Sequence, residues 1–283
     1  MHPSGSAQLR DDLVYDVGMH RGEDTAYYLA KGYNVVAFEA APDLVEHCRR
    51  RFAAEIESGA LRIIAGAIVD PADVDGDEQV RFYRHPDLTM WGTIDAEWVQ
   101  RREFVGDFEE ISVPAIDFEA TLTETGVPHF MKIDIEGADT LCLGALKKLE
   151  ACPKYVSIES EKFEFAALER EFDALDALGY RRFAVVQQGS IPGTEIMTRN
   201  RRGEPISYRF ERDASGGFGS DVGPWLSRDQ ALERYRGVFR EYRMFGETSP
   251  VRKFRLGRIV LGHLPRFTKK SWPGWYDTHA ARD

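Results

Sequence analysis

Short apolar, β-branched segments alternate with helical segments along this chain, and this alternation restricts its fold more than any other feature. The predicted strands cover residues 13–18, 34–40, 61–69, 130–137, 155–160 and 181–188. The predicted helices cover residues 23–31, 43–57, 139–150 and 165–178. A β-α-β order of this kind predicts an α/β fold, in which helices cover both faces of a mostly parallel sheet.

Two parts of the chain depart from this alternation. Residues 76–113 add one predicted strand, VRFYRH, and a polar stretch that contains tryptophans. After residue 199 we expect an antiparallel edge strand (GEPISYRF), a lid-like glycine-rich loop (DASGGFGSDVGPW), a helix that begins at the capping box Ser227–Gln230, and an aromatic tail. The expected organisation is a core over residues 1–199 with an insertion at about 76–113, and an extension over 200–283 packed on the same domain.

Composition narrows the class of protein and its partners. Apolar residues make up 43% of the 283 residues, which is enough for a sizeable core. The 47 acidic residues outnumber the 37 basic ones, and the net charge of −10 disfavours nucleic acid as a partner. Three cysteines without a CxxC pattern are expected to be reduced. Without a long apolar run or a secretory profile, the chain is expected to be cytoplasmic, with no membrane partner.

Carboxylates lie at the carboxyl ends of four of the predicted strands. Ligands of open α/β sheets bind beyond the carboxyl ends of the strands, so these ends are where chemistry is expected. The carboxylates at these ends are Asp16 in the motif Asp16-x-Gly18-x-x-x-Gly22, Glu39, the pair Asp134 and Glu136, and Glu159.

The glycine motif differs from a dinucleotide-binding fingerprint. The fingerprint G-x-G-x-x-G brings backbone amides against a pyrophosphate, but its first glycine is missing here and Asp16 precedes Gly18. A carboxylate disfavours phosphate and suits S-adenosylmethionine (SAM), which carries a sulfonium, an ammonium and a ribose. Gly18 and Gly22 would lie along the methionine portion, and Glu39 would accept hydrogen bonds from the ribose hydroxyls. The alternatives are a plain turn whose glycines supply positive φ, or a nicotinamide dehydrogenase.

The fourth strand carries KIDIEG, although a central parallel strand should be nearly all apolar. Lys132, Asp134 and Glu136 alternate with isoleucines, which places three charges on one side near the strand end. Asp134 is the first candidate for a general base at this edge of the sheet. Another interpretation is a salt bridge from Lys132 to either acid.

Further residues complete the expected site. Glu136 and Glu159 are supporting acceptors for substrate hydroxyls, and His20 and His85 are alternative bases. The expected cofactor site also includes residues beside the glycine motif and at the next strands, namely Met19, Thr25, Ala40, Ala67 and Asp134. Carboxylates of this kind also bind divalent cations, but their spacing does not require one, so no metal site is predicted.

Two separated segments resemble one known family. FMKIDIEGADTLCLGAL is similar to the signature of FkbM-type methyltransferases, and DVGMHRGEDTAYYLAKGYNVVAFEAAP resembles the cofactor half of the same family. Many members have Asn in the turn where this chain has Met19-His20. The resemblance implies a Rossmann-like class I methyltransferase sheet, SAM as the cofactor, and methylation of hydroxyl groups, often on sugars or secondary metabolites.

Methylation of a small hydroxylated molecule, such as a sugar, a glycoconjugate or a secondary metabolite, is therefore the leading hypothesis. Transfer to nitrogen or to a carboxylate by the same fold is one alternative. A non-catalytic module that keeps the nucleoside pocket is another. Substrate choice is expected to reside in the insertion and in the C-terminal extension.

Overall fold

The described part of the chain is an α/β structure. The computed structural model describes residues 7–70, 72, 74, 78–100, 106–160, 164–245 and 275–282. Its strands are β1 (Leu9–Val17), β2 (Asn34–Glu39), β3 (Leu61–Ala65), β4 (Ala67–Ile68), β5 (Gln79–Arg84), β6 (Gly92–Thr93), β7 (Glu109–Ile116), β8 (Val127–Ile133), β9 (Tyr155–Glu159), β10 (Arg182–Gln187), β11 (Glu195–Arg199), β12 (Pro205–Arg209) and β13 (Tyr276–Ala281). Its helices are α1 (Glu23–Ala30), α2 (Pro42–Arg51), α3 (Ala53–Glu57), α4 (Ala96–Gln100), α5 (Phe118–Thr125), α6 (Asp139–Leu146), α7 (Phe165–Ala177) and α8 (Arg228–Phe245).

Two compact units make up the chain, and the first contains a parallel sheet. Unit 1 comprises residues 1–156 and 196–208, and unit 2 comprises residues 157–195 and 209–283. In unit 1, strands β3, β2, β1 and β8 lie side by side in that order, and every pair is parallel. The second half of β1 and most of β2 and β8 are buried, as expected for strands covered on both faces. The predicted α/β class with a mostly parallel sheet is confirmed.

A second sheet in unit 1 is built largely from the insertion. Strands β4, β7, β5 and β6 pair in that order, and β5 contains most of the predicted strand VRFYRH. The predicted strand 61–69 is divided at Gly66, where φ is +144° and an added Cβ would lie 2.4 Å from the carbonyl oxygen of Pro114. Strand β3 therefore pairs with β2 up to this glycine, and β4, which follows the glycine, pairs with β7.

Other differences from the predicted elements are local. The predicted helix 43–57 is two helices, because Phe52 leaves the helical region with φ −112° and ψ 32°. Strand β8 ends at Ile133, so Asp134 and Glu136 lie in the turn that follows it. GEPISYRF forms β12, but it pairs with β11 in a separate two-stranded sheet instead of joining the main sheet.

Unit 2 contains an antiparallel strand pair and a long capped helix. Strand β13 pairs antiparallel with β10, within the segment predicted as an aromatic tail. The predicted capping box is present before α8, since Ser227 N donates to Gln230 Oε1 at 2.9 Å and Gln230 N donates to Ser227 Oγ at 3.3 Å. The rest of the predicted tail, residues 246–274, lies outside the described residues, and the predicted division into core and extension stays a prediction.

In the described ranges, none of the helices combines the length and the apolar character needed to cross a bilayer.

Candidate active site

The turn after β1 and the turn after β8 meet backbone to backbone. Gly18 has φ +86°, and a Cβ added to it would lie 2.0 Å from the carbonyl oxygen of Asp134. Gly22, at the start of α1, has φ +82°, and a Cβ there would lie 2.3 Å from the ring of Phe52. Both glycines of the motif are therefore required by the packing of the protein itself, whatever ligand lies against them.

Three carboxylates surround one buried ammonium beside these turns, and we call Asp16, Asp24, Lys132 and Asp134 the Lys132 cluster. Asp16 on β1 and Lys132 on β8 are direct register partners, and the first turn of α1 supplies Asp24. Lys132 Nζ lies 3.1 Å from Asp134 Oδ2, 3.4 Å from Asp24 Oδ2 and 3.9 Å from Asp16 Oδ1. It also donates to the carbonyl oxygen of Gly18 at 3.5 Å. The ammonium thus bridges the two turns.

Burial distinguishes the members of the Lys132 cluster. The side chains of Asp16, Asp24 and Lys132 are 0%, 5% and 6% exposed, whereas that of Asp134 is 38% exposed. Burial raises the pKa of Asp16 to about 7, although the Lys132 ammonium and a 2.6 Å hydrogen bond from Thr25 Oγ1 oppose this rise. Of these carboxylates, Asp134 is the one that a ligand in solvent can reach.

Glu39, at the end of β2, is held by backbone amides. Its Oε2 accepts from His20 N at 2.9 Å, and its Oε1 accepts from Ala41 N at 2.8 Å. Burial raises the pKa of Glu39 to about 7, against the lowering effect of these two amides. The carboxylate is therefore oriented by the turn that carries the glycine motif and by the backbone that follows β2.

His20 connects this turn to the insertion. Its Nδ1 lies 3.3 Å from Glu23 Oε1, and its Nε2 lies 2.9 Å from Oγ1 of Thr89 in the insertion. Its φ of +51° lies in the left-handed region, where Asn, Asp and His are more common than other non-glycine residues. His20 therefore occupies a backbone conformation that Asn would also adopt readily.

The turn after β8 is held from two sides. Glu136 has φ +44°, and Asp139 accepts hydrogen bonds from Ile135 N at 3.1 Å and Gly137 N at 3.3 Å. Thr93 of β6 donates to the carbonyl oxygen of Glu136 at 2.6 Å. A non-glycine residue in this conformation is costly, and these bonds hold it in place.

The structure brings most of the predicted site residues together in unit 1. The carboxyl ends of β1 and β2, the turns after β1, β2 and β8, and the start of α1 contain Asp16, Gly18, Met19, His20, Gly22, Thr25, Glu39, Ala40, Asp134 and Glu136. Ala67 lies in an apolar cluster with Leu44 and Phe82, and Ala40 packs against that cluster. Glu159 belongs to unit 2. Their functional roles stay predictions.

Other residues at the site were not assigned from the sequence. Thr89 and Thr93 contact the two turns from the insertion, and Asp24 joins the Lys132 cluster. A threonine in a turn or a two-residue strand carries no signal for such a contact, because the pairing depends on how the insertion folds. The alternation in KIDIEG did signal the pairing of Lys132 with Asp134.

His85 is buried within the insertion and accepts hydrogen bonds from its backbone. Its Nδ1 accepts from Asp87 N at 3.1 Å and from Leu88 N at 3.0 Å, and the side chain is buried. Over the residues described, no group of three or more His, Cys, Asp or Glu side chains is arranged to hold a metal ion.

One comparison with known proteins, a protein-family model, identifies the class of protein. The family described as "Methyltransferase FkbM domain" matches residues 16–182, more than half of the chain. A search of curated proteins finds no match.

Among solved structures, the chain is similar to the precorrin-6Y C5,15-methyltransferase C-terminal domain from Rhodobacter capsulatus, at 12% identity and TM-score 0.36, over 73% of this chain and 79% of that chain. It is also similar to a Bacillus cereus O-methyltransferase in complex with SAH, at 12% identity and TM-score 0.33, over 69% of this chain and 71% of that chain. At such values these similarities say nothing about the methyl acceptor. The family match shows that this chain belongs to the FkbM methyltransferase family and is a SAM-dependent methyltransferase.

Proposed function

We propose that the enzyme methylates a hydroxyl group of a sugar, a glycoconjugate or a secondary metabolite, with Asp134 as the general base. The observation that carries this proposal is the placement of Asp134. Its carboxylate is partly exposed in the turn after β8, its backbone touches Gly18, and its Oδ2 lies 3.1 Å from Lys132 Nζ. A carboxylate held at the edge of the glycine turn is suited to orient a hydroxyl and take its proton.

The residues present fit SAM. Both carboxylate oxygens of Glu39 accept backbone N–H groups, and the carboxylate has further lone pairs for the ribose hydroxyls. The Lys132 cluster contains more carboxylates than ammoniums, which favours a cationic ligand over a phosphate. Asp16 is fully buried, so we propose that it acts from behind the turn by holding Thr25 and Lys132.

In the proposed reaction, bound SAM supplies an electrophilic methyl group. Asp134 accepts the proton of the acceptor hydroxyl as the new oxygen–carbon bond forms. Because the side chain is 38% exposed, the proton can pass to solvent afterwards. Glu136 follows in the same turn and is proposed to accept a hydrogen bond from a neighbouring hydroxyl.

The insertion is the proposed acceptor side of the site. Thr89 lies 2.9 Å from His20 Nε2, and Thr93 donates to Glu136 O at 2.6 Å, so one segment contacts both turns. The rings of Trp91 and Trp98 pack edge to face with centroids 6.0 Å apart, which gives this segment a rigid base. An acceptor between the turns and the insertion would contact residues of this segment.

The test follows the methyl group. Methyl-labelled SAM is incubated with the enzyme and with panels of sugars, phenols, amines and carboxylic acids, and then with metabolite fractions from its host. We expect label in a product that survives mild base, which excludes a methyl ester. Label only in amines or in base-labile esters contradicts the O-methyl proposal. SAM binding without transfer to any acceptor supports a non-catalytic module instead.

A further inference from the structure

We propose that Lys132 is a positioning residue for Asp134, and that Asp16 and Asp24 keep its ammonium paired as Asp134 changes charge during the reaction. This inference rests on the proposed function, because it assigns a partner to the proposed base. It explains why one buried ammonium faces three carboxylates when one would neutralise it.

Groups other than Asp134 hold the Lys132 ammonium in place. Asp16 is the direct neighbour of Lys132 across two parallel strands, and Asp24 comes from the helix that follows β1. The carbonyl oxygen of Gly18 accepts a further hydrogen bond from Nζ at 3.5 Å. With a side chain only 6% exposed, Lys132 has little room to move. Its 3.1 Å contact with Asp134 Oδ2 therefore holds a partly exposed carboxylate in one orientation.

The charge balance during transfer explains the two additional carboxylates. When the acceptor O–H bond breaks, its proton goes to Asp134, and the acceptor oxygen forms its bond to the methyl carbon. The sulfur–methyl bond breaks with its electron pair going to the sulfur, so the sulfonium becomes a neutral thioether. Asp134 is then neutral and no longer compensates Lys132. A buried ammonium without a counter-ion is costly, but Asp24 at 3.4 Å and Asp16 at 3.9 Å remain.

A surface pair in the same unit provides the contrast and the control. Lys148 lies 2.9 Å from Glu119, but its side chain is 62% exposed, so water compensates the ammonium whether or not the carboxylate is charged. Lys148→Met removes a lysine ion pair of similar length without disturbing the proposed site.

The test compares Lys132→Met, Lys132→Arg and Lys148→Met with the wild type. Turnover is measured for each with an acceptor found in the labelling experiment, together with calorimetric affinity for S-adenosylhomocysteine and a crystal structure. For Lys132→Met we expect turnover about 100-fold lower, affinity within about threefold, and an Asp134 carboxylate displaced by about 1 Å. Lys132→Arg should recover part of the turnover because it keeps the charge. Lys148→Met should match the wild type.

If Lys132→Met does not fold, a second variant tests the same inference. Lys132→Met with Asp24→Asn removes one buried carboxylate together with the ammonium, and it should fold and show the same loss of turnover. Wild-type turnover in either variant overturns the inference, and so does a loss of cofactor affinity as large as the loss of turnover. If the wild type transfers no methyl group, the proposed function fails. The crystal structures then test the positioning role by themselves. An Asp134 carboxylate that is displaced in Lys132→Met relative to the wild type supports this role, and one that has not moved overturns it.

Discussion

Gly18 faces the carbonyl oxygen of Asp134 so closely that a β-carbon would lie 2.0 Å from it. This approach joins the turn after β1, expected to hold the cofactor, to the turn that carries the proposed base. Separating the two turns would also break a backbone hydrogen bond, because Asp134 N donates to the carbonyl oxygen of Val17 at 2.9 Å.

We therefore expect Gly18→Ala to separate the two turns. Gly32→Ala is the matched control, since Gly32 has φ +81° against +86° at Gly18, but an added Cβ meets nothing within 4 Å. In Gly32→Ala, the strain of a left-handed alanine alone should lower the unfolding free energy, measured with urea, by about 1–2 kcal/mol. Gly18→Ala should lose more stability and, if folded, its affinity for SAM. Equal losses in the two variants would contradict a steric role for the contact.

Glu39 should make stability depend on pH. Burial raises its folded-state pKa from 4.5 to about 7. A carboxyl group with a raised pKa contributes stability that is fully present below its unfolded value and is lost as pH rises through its folded value. Between about pH 5 and 8, the wild type should lose up to about 3 kcal/mol of unfolding free energy relative to Glu39→Gln.

Urea unfolding at several pH values measures this difference. Any hydrogen bond that Gln fails to accept shifts its curve equally at every pH, so the slope reports the charge alone. Glu46→Gln, at a side chain that is 56% exposed, should follow the wild type. Parallel curves for the wild type and Glu39→Gln would mean that Glu39 titrates alike in the folded and unfolded states. Glu39→Gln should also weaken SAM binding.

Asp134→Asn should abolish proton removal while keeping the size of the side chain. Loss of a general base lowers turnover by about 100- to 10,000-fold, and we expect this loss with little change in affinity for S-adenosylhomocysteine. Glu136→Gln, two residues along the same turn, should act mainly on the Michaelis constant of the acceptor. A larger turnover loss in Glu136→Gln than in Asp134→Asn would transfer the role of base to Glu136.

Thr89→Val tests whether the insertion forms the acceptor side. The variant removes the hydroxyl that lies 2.9 Å from His20 Nε2. Loss of one hydrogen bond predicts an acceptor Michaelis constant about 2- to 10-fold higher, with unchanged affinity for S-adenosylhomocysteine. Thr123→Val is the control, because that hydroxyl donates to the carbonyl oxygen of Glu119 at an exposed position of α5. An effect confined to cofactor affinity would contradict the assignment.

Local patterns were sufficient for the sheet and for the carboxylates at its edge. The alternation of short apolar segments and helices predicted a parallel α/β sheet, and the residues that follow β1, β2 and β8 could be read directly from it. The register between strands was not accessible in this way. Asp16 and Lys132 are 116 positions apart in the sequence, and only the pairing of β1 with β8 makes them neighbours.

The sequence by itself determined the fold class, the family and the positions of Glu39 and Asp134, because each depends on short-range periodicity or on a contiguous motif. Tertiary structure decided which groups surround them. The 2.0 Å approach of Gly18 to Asp134, the three carboxylates around Lys132 and the contacts of Thr89 and Thr93 all join distant segments. Such contacts arise from strand register and from the folding of the insertion, which no local pattern encodes.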